Sequence, residues 1–132
     1  SSPHQLKTIG EDAFCRCYSL QRITIPLYVH MIGVNAFNNC NVLVEAILST
    51  TSIKEIPISG FDSCRSLQSV SLPNSVERIG DYAFLWCTCL VTVVVSLGSQ
   101  QPIDIGYRCF YGCSALANVV LPQGSNARSN SF

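Results

Sequence analysis

Cysteine is the residue type in this chain with the widest chemistry, because a thiolate is a nucleophile, a metal ligand and a disulfide partner. The 132-residue sequence contains eight cysteines. Cys15 with Cys17, and Cys87 with Cys89, form two pairs with a single residue between the members. Zinc sites usually use pairs separated by two to four residues that converge from two loops. The spacing is therefore atypical of a metal site, and we expect no bound metal.

Five of the cysteines recur at a regular interval. They are Cys17, Cys40, Cys64, Cys87 and Cys113. A free cysteine packs as a small hydrophobic side chain with a weak S–H donor, so we predict a structural cysteine ladder inside the fold. Cys15, Cys89 and Cys109 lie outside this series. Either they are free thiols, or two of them form a disulfide if the compartment is oxidising.

The other residues able to do catalysis form no recognisable site. The two histidines, His4 and His30, have no serine or cysteine at a catalytic spacing. The eight acidic residues are scattered along the chain without a paired set of carboxylates. The sequence contains no phosphate-binding loop, nucleophile elbow or zinc-protease motif. We therefore predict no catalytic residues, no cofactor and no enzymatic activity.

Composition narrows the class of protein further. Hydrophobic residues make up 48% of the chain and charged residues 12%, which indicates a packed core rather than disorder. The formal net charge is zero, so the chain lacks the basic patch of a nucleic-acid-binding protein. The longest apolar run, 90–97, is interrupted by polar residues and is far shorter than the roughly 20 residues of a membrane-spanning helix. We expect neither nucleic-acid binding nor a membrane span.

An internal repeat organises nearly the whole chain. Copies of the phrase Ile-Gly-x-x-Ala-Phe-x-x-Cys-x-x-Leu begin at Ile9, Ile32, Ile56, Ile79 and Ile105. Subtracting successive positions gives spacings of 23, 24, 23 and 26 residues. Each copy ends in alternating apolar residues, such as Ile23 and Ile25, which predict a short strand. Since every copy runs the same way, we predict that these strands form a parallel sheet.

The first half of each copy predicts a different local structure. Ala13, Phe14, Cys17 and Leu20 have the spacing of one face of a short helical turn. The glycine after the repeat isoleucine fits a tight entry, where a side chain would obstruct or φ is positive.

This phrase resembles the BspA-like, or Treponema-type, leucine-rich repeat, over about residues 6–122. In the third copy, Pro57 and Gly60 replace the glycine and the alanine of the phrase. In the fifth copy, Cys109 replaces the alanine. The resemblance implies a leucine-rich repeat solenoid of the α/β repeat class, a right-handed coil of about five repeats of 23–26 residues. A short-stranded parallel sheet would lie on its concave face and short helical turns on its convex face. The implied role is an interaction or adhesion scaffold without catalytic residues.

We assign residues 1–122 to one leucine-rich repeat domain, with repeats near 6–28, 29–52, 53–75, 76–101 and 102–122. Residues 123–132 are polar and rich in serine and asparagine, so we expect a flexible tail. An insertion, 97–104, precedes the fifth copy, and its segment 98–102 is expected to form a surface loop.

The outward strand positions are the predicted binding face, since solenoids bind partners on such surfaces. They form two columns. The first is Arg22, Glu45, Ser69, Thr92 and Asn118, and the second is Thr24, Ile47, Ser71, Val94 and Val120. Aliphatic residues in the second column indicate either a contact surface or the ordinary strand preference of β-branched residues. Leu85, Trp86 and Tyr111, on the convex half of the coil, are a second candidate contact surface. Trp86 is equally compatible with a place at the edge of the core.

The sequence therefore predicts a non-catalytic module that binds a protein partner through its concave sheet face or its solenoid ends. Two alternatives remain at this point: a structural or accessory subunit of a large multiprotein complex, and a cell-surface adhesion or recognition protein. Both a secreted or cell-surface location and an intracellular location within a complex are compatible with the sequence.

Overall fold

The computed structural model describes residues 5–95, 101–128 and 130–132. His4 and positions 98–100 of the predicted surface loop lie outside the described residues. Within them the chain forms eleven short strands and no helix. The strands are β1 Thr8–Ile9, β2 Arg22–Thr24, β3 Met31–Ile32, β4 Glu45–Ile47, β5 Glu55–Ile56, β6 Ser69–Leu72, β7 Arg78–Ile79, β8 Thr92–Val95, β9 Asp104–Ile105, β10 Asn118–Val120 and β11 Asn126–Ala127.

All strand pairs are parallel, as the repeat predicted. The large sheet has the order β10-β8-β6-β4-β2, so each repeat, or coil, contributes one strand. The remaining strands form a four-stranded sheet, β11-β9-β7-β5, and a two-stranded pair, β1-β3. The chain is thus a parallel-strand solenoid of about five turns.

The segments that lead from the smaller sheets to the large sheet are 10–20, 33–43, 57–67, 80–90 and 106–116, and we call them arcs. Our prediction of short helical turns in the arcs is wrong, because none of them is helical. Each arc holds two residues at positive φ, four positions apart, such as Asp12 (φ 57°) and Arg16 (φ 59°). Residues in this left-handed region interrupt the dihedral pattern of a right-handed helix.

The hydrogen bonds of the arcs show where the backbone groups go instead. Within an arc, the N–H of Ala13 donates to Gly10 O and that of Cys15 to Asp12 O, three residues back. The intervening N–H groups, such as that of Phe14, donate to a carbonyl of the next coil. Three such bonds join each pair of neighbouring arcs. In every case the N–H belongs to the earlier coil and the carbonyl to the later one. The arcs are therefore bonded across coils, as strands are.

Pro57 explains why the second sheet is split. Gly33 and Gly106 each donate their N–H to the isoleucine carbonyl of the preceding coil at 2.8 Å. The third copy has Pro57 at this position, and proline has no N–H to donate. As a result β3 and β5 are not paired, and the ladder restarts at β5.

Close coil-to-coil packing, rather than positive φ, explains most of the recurring glycines. A Cβ on Gly33 would lie 2.4 Å from the Glu11 backbone nitrogen, and one on Gly106 would lie 2.5 Å from that of Asp81. Gly10 is different, since its Cβ would meet nothing within 4 Å.

The core is a column of stacked rings. Phe14, Phe37, Phe61, Phe84 and Phe110 stack in sequence with centroids 5.1–5.5 Å apart. Strand residues of the same coils, such as Ala46 and Leu72, are fully buried beside them. Each coil therefore buries its apolar side chains against its neighbours in the manner of other solenoids.

The segment 123–132, which we expected to be a flexible tail, continues this packing. β11 pairs with β9, and Phe132 stacks on Phe110 with centroids 5.3 Å apart. Ser131 is buried and its hydroxyl donates to Gly106 O at 2.9 Å. The backbone N–H groups of Asn126 and Arg128 donate to the carbonyls of Ile103 and Ile105. The same pattern of hydrogen bonds joins the strands of the smaller sheets in earlier coils.

Candidate functional site

The ten residues predicted to bind a partner lie together on the large sheet. Strand register places Arg22, Glu45, Ser69, Thr92 and Asn118 side by side in one column. The same register aligns Thr24, Ile47, Ser71, Val94 and Val120 in a second column. All ten are partly or fully exposed. We call this surface the outer sheet face.

The outer sheet face exists because side chains alternate along each strand. In β8, Val93 and Val95 point into the core, while Thr92 and Val94 do not. Val94 is 38% exposed and Val120 is 57% exposed, and the register places them next to each other. Together with the partly exposed Ile47, they give the second column of the outer sheet face an apolar character.

Of the five periodic cysteines, Cys40, Cys64 and Cys87 are buried inside the solenoid, and Cys17 and Cys113 are partly exposed. Each of four thiols donates to the phenylalanine carbonyl of the preceding coil: Cys40 to Phe14 O, Cys64 to Phe37 O, Cys87 to Phe61 O and Cys113 to Phe84 O, at 3.0–3.1 Å. The S–H groups thus tie successive coils together.

Burial also suppresses the reactivity of two inner thiols, Cys87 and Cys109. It raises the pKa of Cys87 and that of Cys109 well above the ordinary value of 9.0. A thiol that stays protonated is a poor nucleophile and a poor metal ligand. All eight cysteines are free, and only Cys89 is fully exposed.

The described parts of the chain contain neither a cluster of metal-ligating side chains nor a helix that could span a membrane. No group of three or more His, Cys, Asp or Glu residues in 5–95, 101–128 and 130–132 is arranged to hold a metal ion. Within the same ranges no helix is long and apolar enough to cross a membrane.

Sequence reasoning missed a set of ion pairs on the second sheet. Arg78 contacts Asp104 at 3.0 Å and Glu55 at 3.5 Å, and Arg128 contacts Asp104 at 3.7 Å. The signal was available for three of them, because Glu55, Arg78 and Asp104 each precede the repeat isoleucine of successive copies. Partly exposed pairs of this kind stabilise a fold only modestly, so the network indicates a solvated surface.

The split in the second sheet creates a groove of about 530 Å³. Ile32, Gly33, Lys54, Glu55 and Pro57 are among the residues that line it. Pro57 is visible in the sequence as a departure from the repeat, but we did not predict from it that sheet pairing would be interrupted.

An aromatic cluster occupies the arcs of the fourth and fifth coils. Trp86 and Tyr111 pack edge to face with centroids 5.5 Å apart, and Tyr82 packs in the same way on Tyr107 at 5.8 Å. The guanidinium of Arg108 lies 5.3 Å from the Tyr107 ring centre and 5.1 Å from that of Tyr111. Trp86 is 43% exposed and Tyr111 is 40% exposed. Sequence reasoning named these two residues and missed Arg108 and the other two tyrosines.

Comparison with known proteins gives a consistent result. The sequence matches a family model described as a BspA type leucine-rich repeat region, over residues 1–117 and again over 98–132. None of the curated proteins searched matches the chain.

Two solved structures are similar to this fold. One is a leucine-rich cell surface protein from Faecalibacterium prausnitzii A2-165, with 32% sequence identity and a TM-score of 0.79 over 95% of this chain. The other is a leucine-rich repeat protein from Bacteroides ovatus ATCC 8483, with 31% identity and a TM-score of 0.77 over 96% of this chain. The chain covers 32% and 31% of their lengths, respectively.

Proposed function

Because this chain belongs to the BspA-type leucine-rich repeat family, we propose that it is a non-catalytic module that binds a protein partner through its outer sheet face. The observation that carries the proposal is the second column of that face. Ile47 and Val94 project from strands whose alternate residues are buried, and Val120 projects from a strand whose alternate residue, Val119, is partly buried, so all three point away from the core. Solenoids commonly use the exposed face of their sheet in this way.

The first column supplies the polar part of such a contact. Arg22 and Glu45 are register partners at one edge of the sheet, and Thr92 and Asn118 are partners at the other. An apolar strip beside hydrogen-bonding groups has the composition of a protein–protein interface, in which polar residues surround an apolar centre.

A role at a cell surface is the second candidate. It is favoured by the similar fold of the Faecalibacterium prausnitzii protein, which is described as a cell surface protein. In that setting the outer sheet face would contact a protein outside the cell.

The proposal predicts that charge on the outer sheet face abolishes partner binding. The first step is native electrophoresis of the endogenous protein, with mass spectrometry of the band to identify co-migrating chains. Wild-type protein and the Ile47→Asp/Val94→Asp double variant are then immobilised and tested against the identified partner. We expect at least a tenfold loss of affinity in the variant, because the contact would bury two carboxylates.

The matched control is Asn41→Asp/Asn74→Asp, which adds the same charge at exposed positions away from the outer sheet face. This control should bind as the wild type does, and both variants should show the wild-type circular dichroism spectrum. Equal binding by the wild type and the Ile47→Asp/Val94→Asp variant would refute the proposal. Co-migration with a large, defined set of chains would favour a subunit role, and migration at the chain's own mass would favour a free recognition module.

A further inference from the structure

The left-handed positions of the arcs change character along the solenoid. In the first three coils they hold small or polar residues at φ 54–61°: Asp12, Arg16, Asn35, Asn39, Ser59 and Ser63. The fourth coil places Tyr82 (φ 59°) and Trp86 (φ 57°) at the same two positions. Bulky side chains are rare in this region, whereas asparagine and aspartate adopt it readily. Residues held in such an unusual backbone conformation occur preferentially at functional sites.

The fifth coil is shaped to hold these side chains. Gly112 stands at the left-handed position that follows Trp86 in the stack, and a Cβ there would lie 2.3 Å from the Trp86 indole. Tyr111 packs against the same indole. The indole is thus fixed by contacts and remains partly exposed.

Arg108 adds a positive charge to the aromatic cluster. Its guanidinium lies over two tyrosine rings, and it forms no ion pair with any carboxylate among residues 5–95, 101–128 and 130–132. Arg78 and Arg128 differ, since both contact Asp104. Arg108 is exposed, so its guanidinium is open to a carboxylate from outside the chain.

We propose that Trp86, Arg108 and Tyr111 form a second binding surface, which takes a segment of a partner protein carrying a carboxylate next to an apolar side chain. The guanidinium would pair with the carboxylate through two parallel N–H···O bonds. The apolar side chain would pack on the exposed part of the indole. Tryptophan, tyrosine and arginine are the residues most enriched among those that dominate protein interfaces.

The geometry favours an acidic peptide over an acidic glycan. Sugars stack on open ring faces, and Arg108 already lies over the rings of Tyr107 and Tyr111. The rings hold the guanidinium in place, which reduces the ordering that binding a carboxylate requires. This surface lies on the arcs, so its failure would leave the proposal for the outer sheet face untouched.

The test starts from a phage-displayed library of random linear peptides, panned on the wild-type protein. The most enriched peptide is synthesised in two forms, with its acidic residues intact and with each changed to the amide. Binding is followed by the fluorescence of Trp86, which is the only tryptophan in the chain. We expect the acidic peptide to change this emission and the amide form to bind at least tenfold more weakly.

Two variants separate binding from folding. Arg108→Gln removes the charge and should weaken the acidic peptide at least tenfold, whereas Arg16→Gln, at a left-handed position of the first coil, should change its affinity less than twofold. Trp86→Asn introduces the residue that the second coil uses at this position, Asn39. It should abolish peptide binding in calorimetry while circular dichroism stays unchanged.

Three results would overturn the proposal. They are the absence of any enriched acidic peptide, equal affinity of wild type and Arg108→Gln for the enriched peptide, and tighter binding of polygalacturonate than of any peptide.

Discussion

At the scale of single residues, the cysteine ladder connects the hydrogen bonds within a coil to the hydrogen bonds between coils. The Phe61 carbonyl accepts the N–H of Cys64 at 3.2 Å within its own coil and the S–H of Cys87 at 3.1 Å from the next. One oxygen therefore links two coils. A serine would offer a stronger donor at this place, but it would also be more costly to bury. The thiol combines a weak donor with an apolar body.

Buried thiols predict that the protein loses stability at alkaline pH. Below about pH 9 the thiols of Cys87 and Cys109 are protonated in both the folded and the unfolded state. Above it the unfolded state releases protons, while burial keeps the folded thiols protonated because their pKa values are raised. Cys87 and Cys109 should therefore each lower the free energy of unfolding by about 1 kcal/mol by pH 10. Cys40 acts in the opposite direction, because its hydrogen bond with Cys64 lowers its pKa to about 7. Urea denaturation under reducing conditions at pH 7 and pH 10 measures this loss.

A pair of alanine variants assigns the loss to burial. Cys109→Ala introduces the residue that three other copies carry at this position, and it should reduce the alkaline loss by about 1 kcal/mol. Cys89→Ala removes an exposed thiol and should leave the loss at its wild-type value. An equal loss in wild type and Cys109→Ala would contradict the explanation.

At the scale of the structural elements, the repeat glycines differ in how closely other atoms surround them, so substituting them should change stability by different amounts. Gly33→Ala should lower the free energy of unfolding by about 1–3 kcal/mol, because its Cβ would collide with the Glu11 backbone. Gly10→Ala has open space and a negative φ, so it should be neutral or raise stability by about 0.4–1 kcal/mol. Thermal denaturation of the two variants checks the difference. Equal destabilisation would show that close packing is not the reason for this glycine.

The strands were predictable from sequence, and the arcs were not. Alternating residues such as Ile23 and Ile25, repeated at a near-constant period, indicate parallel strands whatever the arc does. In the arcs, Ala13, Phe14 and Cys17 have the spacing of a helix face, but a left-handed residue at every fourth position also places them on the inner side. Asp12, Arg16, Tyr82 and Trp86 share no residue type that would have revealed this conformation.

The two proposed binding surfaces were predictable from sequence to different degrees. The outer sheet face follows from strand alternation, and register confirmed which of its residues are neighbours. The aromatic cluster depends on side chains of two coils meeting across the stack. Trp86 was visible as a large residue at an arc position, but the placement of Arg108 over two rings depends on the backbone geometry of the arc.

At the scale of the whole molecule, stability depends on contacts between neighbouring coils. Phe61 is fully buried and stacks on both Phe37 and Phe84, whereas Phe132 is 60% exposed and stacks on Phe110. Phe61→Ala should therefore lower the free energy of unfolding by about 3–5 kcal/mol. Phe132→Ala should lower it by less than about 1 kcal/mol, since exposed sites have small effects.

Urea denaturation followed by circular dichroism measures both variants. Since each coil contacts only its neighbours, a central lesion should also make unfolding less cooperative than a lesion at Phe132. Equal destabilisation by the two substitutions would show that the ring column does not carry the nearest-neighbour coupling.

The one-way hydrogen bonds of the arcs have an electrical consequence. On the large sheet the bonds alternate, with Val44 N–H pointing back to Gln21 O and Ile25 N–H pointing forward to Ile47 O. The backbone bonds that join one arc to another all point forward, so their peptide dipoles of about 3.5 D add, as they do in a helix, whereas the thiol bonds of the cysteine ladder point back. One end of the arc side is therefore partially negative and the other partially positive. A chain of zero net charge is in this way a macrodipole, able to orient an approaching charged partner along its axis.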